Sequence, residues 1–285
     1  MFTLFPTSLY TVHKGQAGRL LSPRIWSRVE SQLLAPDGAN QGFFIGSDLR
    51  CFGASAAVSS NVGRYGDEAC QYLSYEDTGD AIGQIATDRN GAVKITGAAT
   101  DNNESWIQPG GAASVMALIS DTAGSDKLLA FEARVKVGQI TETGLFVGLS
   151  EEGLAAANTL VDDTGALASK DFIGFHAPMA ASDCVLSFVY RKAGQTAQTV
   201  ISGVHTLVAD TYVNLGFVYD PQEQPSKRIK IFVNNEEQST YVTAANIAAS
   251  TFPDGEELNF LFGQKAGAAA AKTSTIDGWA LYQAG

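Results

Sequence analysis

The chain has 285 residues, 45% of them hydrophobic and 17% charged, and a formal net charge of −11. That composition excludes a disordered or coiled-coil chain, because it supplies enough apolar side chains for a large buried core. The acidic balance argues against nucleic acid as a partner, since neutralising phosphates takes a basic surface.

The charge is unevenly placed: residues 1–66 carry +3 and the remainder −14, which suggests two segments with different jobs. The opening "MFTLFPTSLYTVHKGQ" has no basic start followed by a long apolar run and a small-residue cleavage site, so no secretory leader is expected. No apolar run approaches the roughly 18 residues of a membrane span. Cys51, Cys70 and Cys184 form no CxxC, which reads as a reduced protein assembled inside a cell rather than a disulfide scaffold.

In chain order, the first predicted element is a helix over about residues 22–34. Ser22 can cap it and Pro23 suits its first position. Ile25, Val29 and Leu33 recur every four residues, joined by Trp26, and form an apolar stripe flanked by Arg24 and Arg28. Ala35-Pro36-Asp37-Gly38 ends it. Such a helix has to pack either on its own body or on another chain, and the pattern leaves both open. Residues 38–66 are rich in Gly, Ser, Ala and Asn and read as a linker or extended arm.

From residue 67 the pattern becomes β. Short segments rich in Val, Ile, Phe, Tyr and Thr, such as "FEARVKV", "TGLFVGLS", "DFIGFHAP", "TYVNLGFVYD" and "KRIKIFVNN", are separated by turn residues. Asn234-Asn235 reads as a turn tolerating positive φ. Many short strands without intervening helices predict an all-β antiparallel sandwich.

The order of "FEARVKV", "GLFVGLSEE", "DFIGFHAP", "TYVNLGFVYD", "KRIKIFVNNEEQ" and "IDGWALYQ" resembles the concanavalin A-like (laminin G-like) jelly-roll sandwich over residues 67–285. The stretch "GAVKITGAATDNNESWIQPGG" followed by "FEARVKV" and "GLFVGL" resembles decoration or cement proteins on the capsids of tailed bacteriophages. That resemblance implies a jelly-roll body, residues 67–285, and an N-terminal arm, residues 1–66, that grips the shell.

The same pattern bears on chemistry. Sandwich glycosidases need two carboxylates on one strand face. In "FEARVKV" Glu132 is followed on its face by Arg134 and Lys136, so the strip is expected to be a solvated or contact face. "GEELNF" places Glu256 and Glu257 on opposite faces. His13, His176 and His205 lack metal-site spacing, and Cys184 reads as a small buried apolar group. The loop "TDNNE" clusters Asp101, Asn102, Asn103 and Glu104; an Asx-rich turn is the plainer reading of it than a cation site. No enzyme activity, catalytic residue, metal or cofactor is therefore expected.

The functional expectation is a structural virion protein on the capsid exterior, assembled in the host cytoplasm. Its partners would be the major capsid protein and copies of itself, as trimer or dimer, with no nucleic acid and no membrane. Arg19, Arg24 and Arg28 would pair with shell carboxylates, and Ile25, Trp26, Val29 and Leu33 would enter a shell or subunit groove. The alternative is a carbohydrate-binding module that touches a host surface glycan, with Trp106 and Trp279 as stacking platforms.

Overall fold

The computed structural model describes residues 22–27, 29, 42–47, 49, 62–65, 71–85, 91–110, 113–122 and 124–285. Its elements are α1 (Pro23–Trp26), β1 (Phe43–Ser47), β2 (Val62–Tyr65), β3 (Tyr72–Glu76), β4 (Ala81–Gln84), β5 (Val93–Thr96), β6 (Glu104–Pro109), β7 (Ala117–Leu118), β8 (Leu129–Val137) and β9 (Thr143–Glu151). There follow β10 (Phe172–Ala177), β11 (Val185–Arg191), β12 (Thr199–Thr206), β13 (Val213–Tyr219), β14 (Ile229–Val233), β15 (Glu236–Val242), α2 (Ala244–Ile247), β16 (Glu257–Ala266) and β17 (Thr273–Gln283).

The strands form two antiparallel sheets packed as a sandwich, so the fold is the all-β jelly roll that the strand pattern predicts. Sheet A runs β15-β14-β13-β8-β17-β5-β4, with β1 also paired to β17; sheet B runs β12-β11-β10-β9-β16-β6-β3-β2, with β7 beside β16. Alternation along each strand decides what lies between them. On β8, Leu129, Phe131, Ala133, Val135 and Val137 enter the main core, where Phe131 packs on Phe217 and Phe260. Trp279 of β17 stacks flat on Phe260, with centroids 4.6 Å apart, and its indole N–H donates to the Tyr72 hydroxyl at 3.1 Å. Burying each large side chain in this way contributes roughly 1.5–3 kcal/mol. The β14–β15 hairpin closes on Asn234 and Asn235, at φ +50° and +66°. Such a two-residue turn needs positive φ at both positions, which asparagine tolerates.

Two expectations change at the N-terminal end. Strands β1 and β2 lie within the stretch read as arm and linker, yet β1 pairs with β17 from Phe43↔Gln283 to Ser47↔Trp279, and β2 pairs with β3. Each is too short to show a period, and main-chain pairing makes little demand on side chains, so the sequence gives little sign of either. The predicted helix is described as one turn, Pro23–Trp26, and Ser22 makes no side-chain cap bond. Its hydroxyl is used elsewhere. The remainder of the predicted 22–34 span, apart from Ser27 and Val29, lies outside the described residues.

Candidate functional site

The charged strip of β8 lies on the outer face of sheet A, and its three members meet three different environments. Glu132 is 4% exposed. Its carboxylate accepts bonds from the Ser22 main-chain N–H (2.9 Å), the Ser22 hydroxyl and the Trp26 indole N–H (2.5 Å). All three donors come from the N-terminal segment and none is charged. Burial pushes the Glu132 pKa up, while the bonds from Ser22 and Trp26 oppose the shift. Around it, Ala130, Val218, Phe232, Ala280 and Tyr282 form an apolar patch that Ile25, Trp26 and Val29 cover. Gly216 supplies the notch: a Cβ there would sit 2.4 Å from the Ile25 Cδ1 atom and 2.7 Å from the Phe131 carbonyl oxygen. Arg24 stays exposed and pairs with Glu236 of β15 at 2.8 Å, while its main-chain N–H donates to the Asn235 side chain at 3.0 Å.

Arg134 binds the carboxylate of Asp277, which is 2% exposed. A register shift in β17 between Ile276 and Gly278 turns Asp277 outward for this contact, the usual effect of a bulge. The Arg134 guanidinium lies 4.0 Å, and the Lys136 ammonium 4.8 Å, from the centroid of the Tyr212 ring. Thr275 is in register with Lys136 on one side and with Lys94 of β5 on the other. Lys94 is exposed and Lys136 half-buried.

The residues assigned to partner binding therefore have distinct positions. Ile25, Trp26 and Val29, at 0%, 0% and 2% exposure, are spent on the chain's own sheet; of the two packing options, the described segment uses the intramolecular one. Arg24 alone of the described members stays exposed. Arg19, Arg28 and Leu33 lie outside the described residues, as do Cys51 and Cys70. Glu132 and Ser22 form the centre of this site, which the residue pattern did not reveal. Ser22 has the look of a helix cap and Glu132 of a surface charge; only the fold brings together positions 110 apart in sequence.

The outer face of sheet B is covered too. Residues 152–170, between β9 and β10, lie over Trp106, Phe146, Phe172, Val189 and Leu261. Buried polar side chains of the sheet hold that loop by its main chain. Glu104 accepts from the N–H groups of Asn158 and Leu160 (3.3 Å to the latter), and Lys265 donates to the Leu160 carbonyl at 3.0 Å. Arg191 donates to the Leu167 carbonyl, and His176 bonds that of Gly165 at 2.7 Å. Burial lowers the His176 pKa to about 4 and raises that of Cys184 to about 12, so both are neutral residents of the interior. Gly263 lets the Trp106 ring lie against β16, since a Cβ there would be 2.2 Å from it.

Trp106 and Trp279 are consequently core residues, at 0% and 5% exposure, and not the open stacking platforms expected of a sugar site. In the "TDNNE" loop, Asn102 adopts φ +61° and exchanges bonds with Asp163, as in an Asx-rich turn. Glu104, which ends that loop, faces Lys265 at 3.6 Å. Among the described residues no group of three or more His, Cys, Asp or Glu side chains is placed to hold a metal. No described helix is long and apolar enough to cross a membrane. A cleft of about 380 Å³ opens at one end of the sandwich beside Tyr219, Arg228 and Ile247. Its charged groups have internal partners: Asp254 with Lys192 at 2.6 Å, Arg228 with the Pro221 carbonyl, and Asp126 with the Ser120 N–H at 3.1 Å.

No protein-family model and no curated protein sequence matches the chain. Solved structures do. A protein of unknown function from Shewanella oneidensis MR-1 aligns over 94% of this chain and 97% of its own, with 14% identity and a TM-score of 0.54. Peanut lectin in complex with a nine-residue peptide aligns over 85% of this chain and 97% of its own, at 12% identity and a TM-score of 0.48. An endo-β-1,4-glucuronan lyase from the fungus Trichoderma reesei covers 84% of this chain and 94% of its own, at 8% identity and a TM-score of 0.46. At these identities the likeness is one of fold alone: the chain is similar in architecture to concanavalin A-like sandwiches.

Proposed function

We propose that the protein is a non-catalytic structural subunit, a decoration protein that binds the outside of a phage capsid. The observation that carries this reading is that the described chain lies over part of each outer face of its own sandwich, with Glu132 of the β8 strip among the residues it encloses. Ile25, Trp26 and Val29 lie on sheet A and residues 152–170 on sheet B. A sandwich glycosidase needs two carboxylates in reach of substrate. Here Glu132 is enclosed by Ser22 and Trp26, and Asp171, beside Glu151, is 3% exposed. The phage assignment itself rests on the resemblance of residues 91–111 and of the β8 and β9 segments to virion proteins.

In this reading the anchor is residues 1–21 rather than the apolar stripe. Ser22 sits on the outer face of sheet A, so the preceding residues join the body there, with Arg19 among them. The test is to mix the full chain, and a chain lacking residues 1–21, with undecorated heads of a phage that encodes it, and to measure co-sedimentation. Saturable binding by the full chain, lost on truncation, supports a capsid clamp. Failure of the full chain to bind heads would overturn the reading.

A further inference from the structure

We propose that the folded chain joins itself covalently, through an amide bond between the Lys265 Nζ atom and the Asp162 Cγ atom. The bond would fasten the loop over sheet B to β16. It goes beyond the capsid reading and does not depend on it.

Register and the loop together place the reacting groups. Lys265 of β16 stands opposite Glu104 of β6, and both side chains are shut off from water, at 1% and 2% exposure. The Lys265 ammonium lies 2.6 Å from the Asp162 Oδ1 atom and 3.6 Å from the Glu104 Oε1 atom. It also donates to the Leu160 carbonyl at 3.0 Å. Asp162 is held from both sides along the chain. Leu160 bridges to Leu167 and gives its N–H to Glu104, while Asp163 exchanges bonds with Asn102 at 3.0 and 2.9 Å. Among the described ion pairs, this is the one in which a fully buried amine meets two carboxylates.

An amine between two carboxyl groups has the parts of an amide-forming site. A proton passing from Nζ to Oδ1 across the hydrogen bond already present leaves an amine facing a carboxylic acid. The amine lone pair then attacks the Asp162 Cγ atom, and Glu104 takes a second proton from the nitrogen as the C–N bond forms. The C–O bond breaks as the departing hydroxyl takes that proton and leaves as water. One ammonium and one carboxylate become one amide and one water, with Glu104 returned to its starting state. Burial raises the Glu104 pKa, which suits it to accept and release a proton. The Asp162 side chain is 57% exposed, so the expelled water has an open way out. In dilute solution water drives this equilibrium toward the free ions. Groups fixed in contact carry effective molarities of about 10⁵–10⁸ M, which opposes that loss. The freshly folded chain holds the ion pair, and the amide accumulates afterwards.

The experiment is intact mass spectrometry of the denatured full chain, freshly purified and after prolonged incubation in the folded state, followed by tryptic mapping. The wild type is expected to become lighter by the mass of one water. Trypsin should then fail to cut after Lys265, and residues 137–170 and 231–272 should appear as one joined peptide. D162A, at an exposed position, and K265M should keep the full mass of their sequences. E104Q should react at least tenfold more slowly. Full mass in the incubated wild type, a one-water loss that persists in D162A, a map that places the loss at other residues, or an undiminished rate in E104Q would each overturn the site.

Discussion

Glu132 carries a buried carboxylate whose partners are two N–H groups and one hydroxyl, with no cation among them. Both N–H groups reach one oxygen, Oε2, and the hydroxyl meets the other, Oε1. Glu132→Leu keeps much of the volume but removes the acceptor of both N–H groups. We expect it to cost about 1–3 kcal/mol, the range for leaving buried donors unsatisfied, read as a lowered urea midpoint with unchanged slope. An unchanged midpoint would mean that water already serves those donors. Gly216 is the matching requirement on β13. Gly216→Ala drives a methyl into Ile25 and toward the Phe131 carbonyl. It should shift the Trp26 emission to the red as the segment lifts, and an unshifted spectrum would mean that the notch can widen.

Among the elements, α1 is a single turn, too short to hold itself by propagation of main-chain bonds. It persists because it closes the patch over Ala130, Val218, Phe232, Ala280 and Tyr282. Trp26→Ala should therefore destabilise the protein by about 3–5 kcal/mol, as large-to-small core changes do. Calorimetric melting checks this, and a loss of only about 0.5 kcal/mol, the range of surface changes, would show that the turn is only laid on the sheet. The loop over sheet B depends on charge. Lys265 and Glu104 are each within 2% of complete burial, so Lys265→Met leaves a buried carboxylate without its cation, at a cost of about 3–5 kcal/mol. Acid protonates that carboxylate in place, so the stability gap between the wild type and Lys265→Met should narrow as pH falls; a gap that stays constant would contradict the pairing.

At the scale of the whole molecule, two buried titrations oppose each other. His176 falls from 6.5 to about 4 on folding, through burial. The folded state then binds fewer protons than the unfolded one between those values, and stability is lost as pH drops through that window. Asp171 rises from 3.8 to about 6, through burial first and the nearby Glu151 and Glu256 charges next. Its contribution has the other sign: it is full below 3.8 and is lost as pH rises through 6. The two therefore oppose each other across the interval from about pH 4 to 6.5. In His176→Gln the histidine contribution is gone, and the variant should gain on the wild type as pH falls from 7 to 4.5. Urea midpoints at both pH values test it, and a constant gap would refute the assigned burial.

The sequence by itself determined the sandwich and most of its strands, β1 and β2 excepted. Alternation along "FEARVKV" and its fellows fixes which side chains face inward, and Asn234-Asn235 fixes a turn, because both are local consequences of pleat and φ. It also marked Cys184 as buried. What it could not determine is where the outward residues end up. Ser22 and Glu132, or Lys94 and Lys136, are brought together by strand order and register, which depend on pairing between segments far apart in the chain. The same holds for Trp106 and Trp279: an aromatic in a β-run reads alike whether it faces solvent or a second layer. Only the tertiary structure decided that Ile25, Trp26 and Val29 cover a patch of one face and residues 152–170 a patch of the other, because coverage is a property of how layers stack and leaves no period in the sequence.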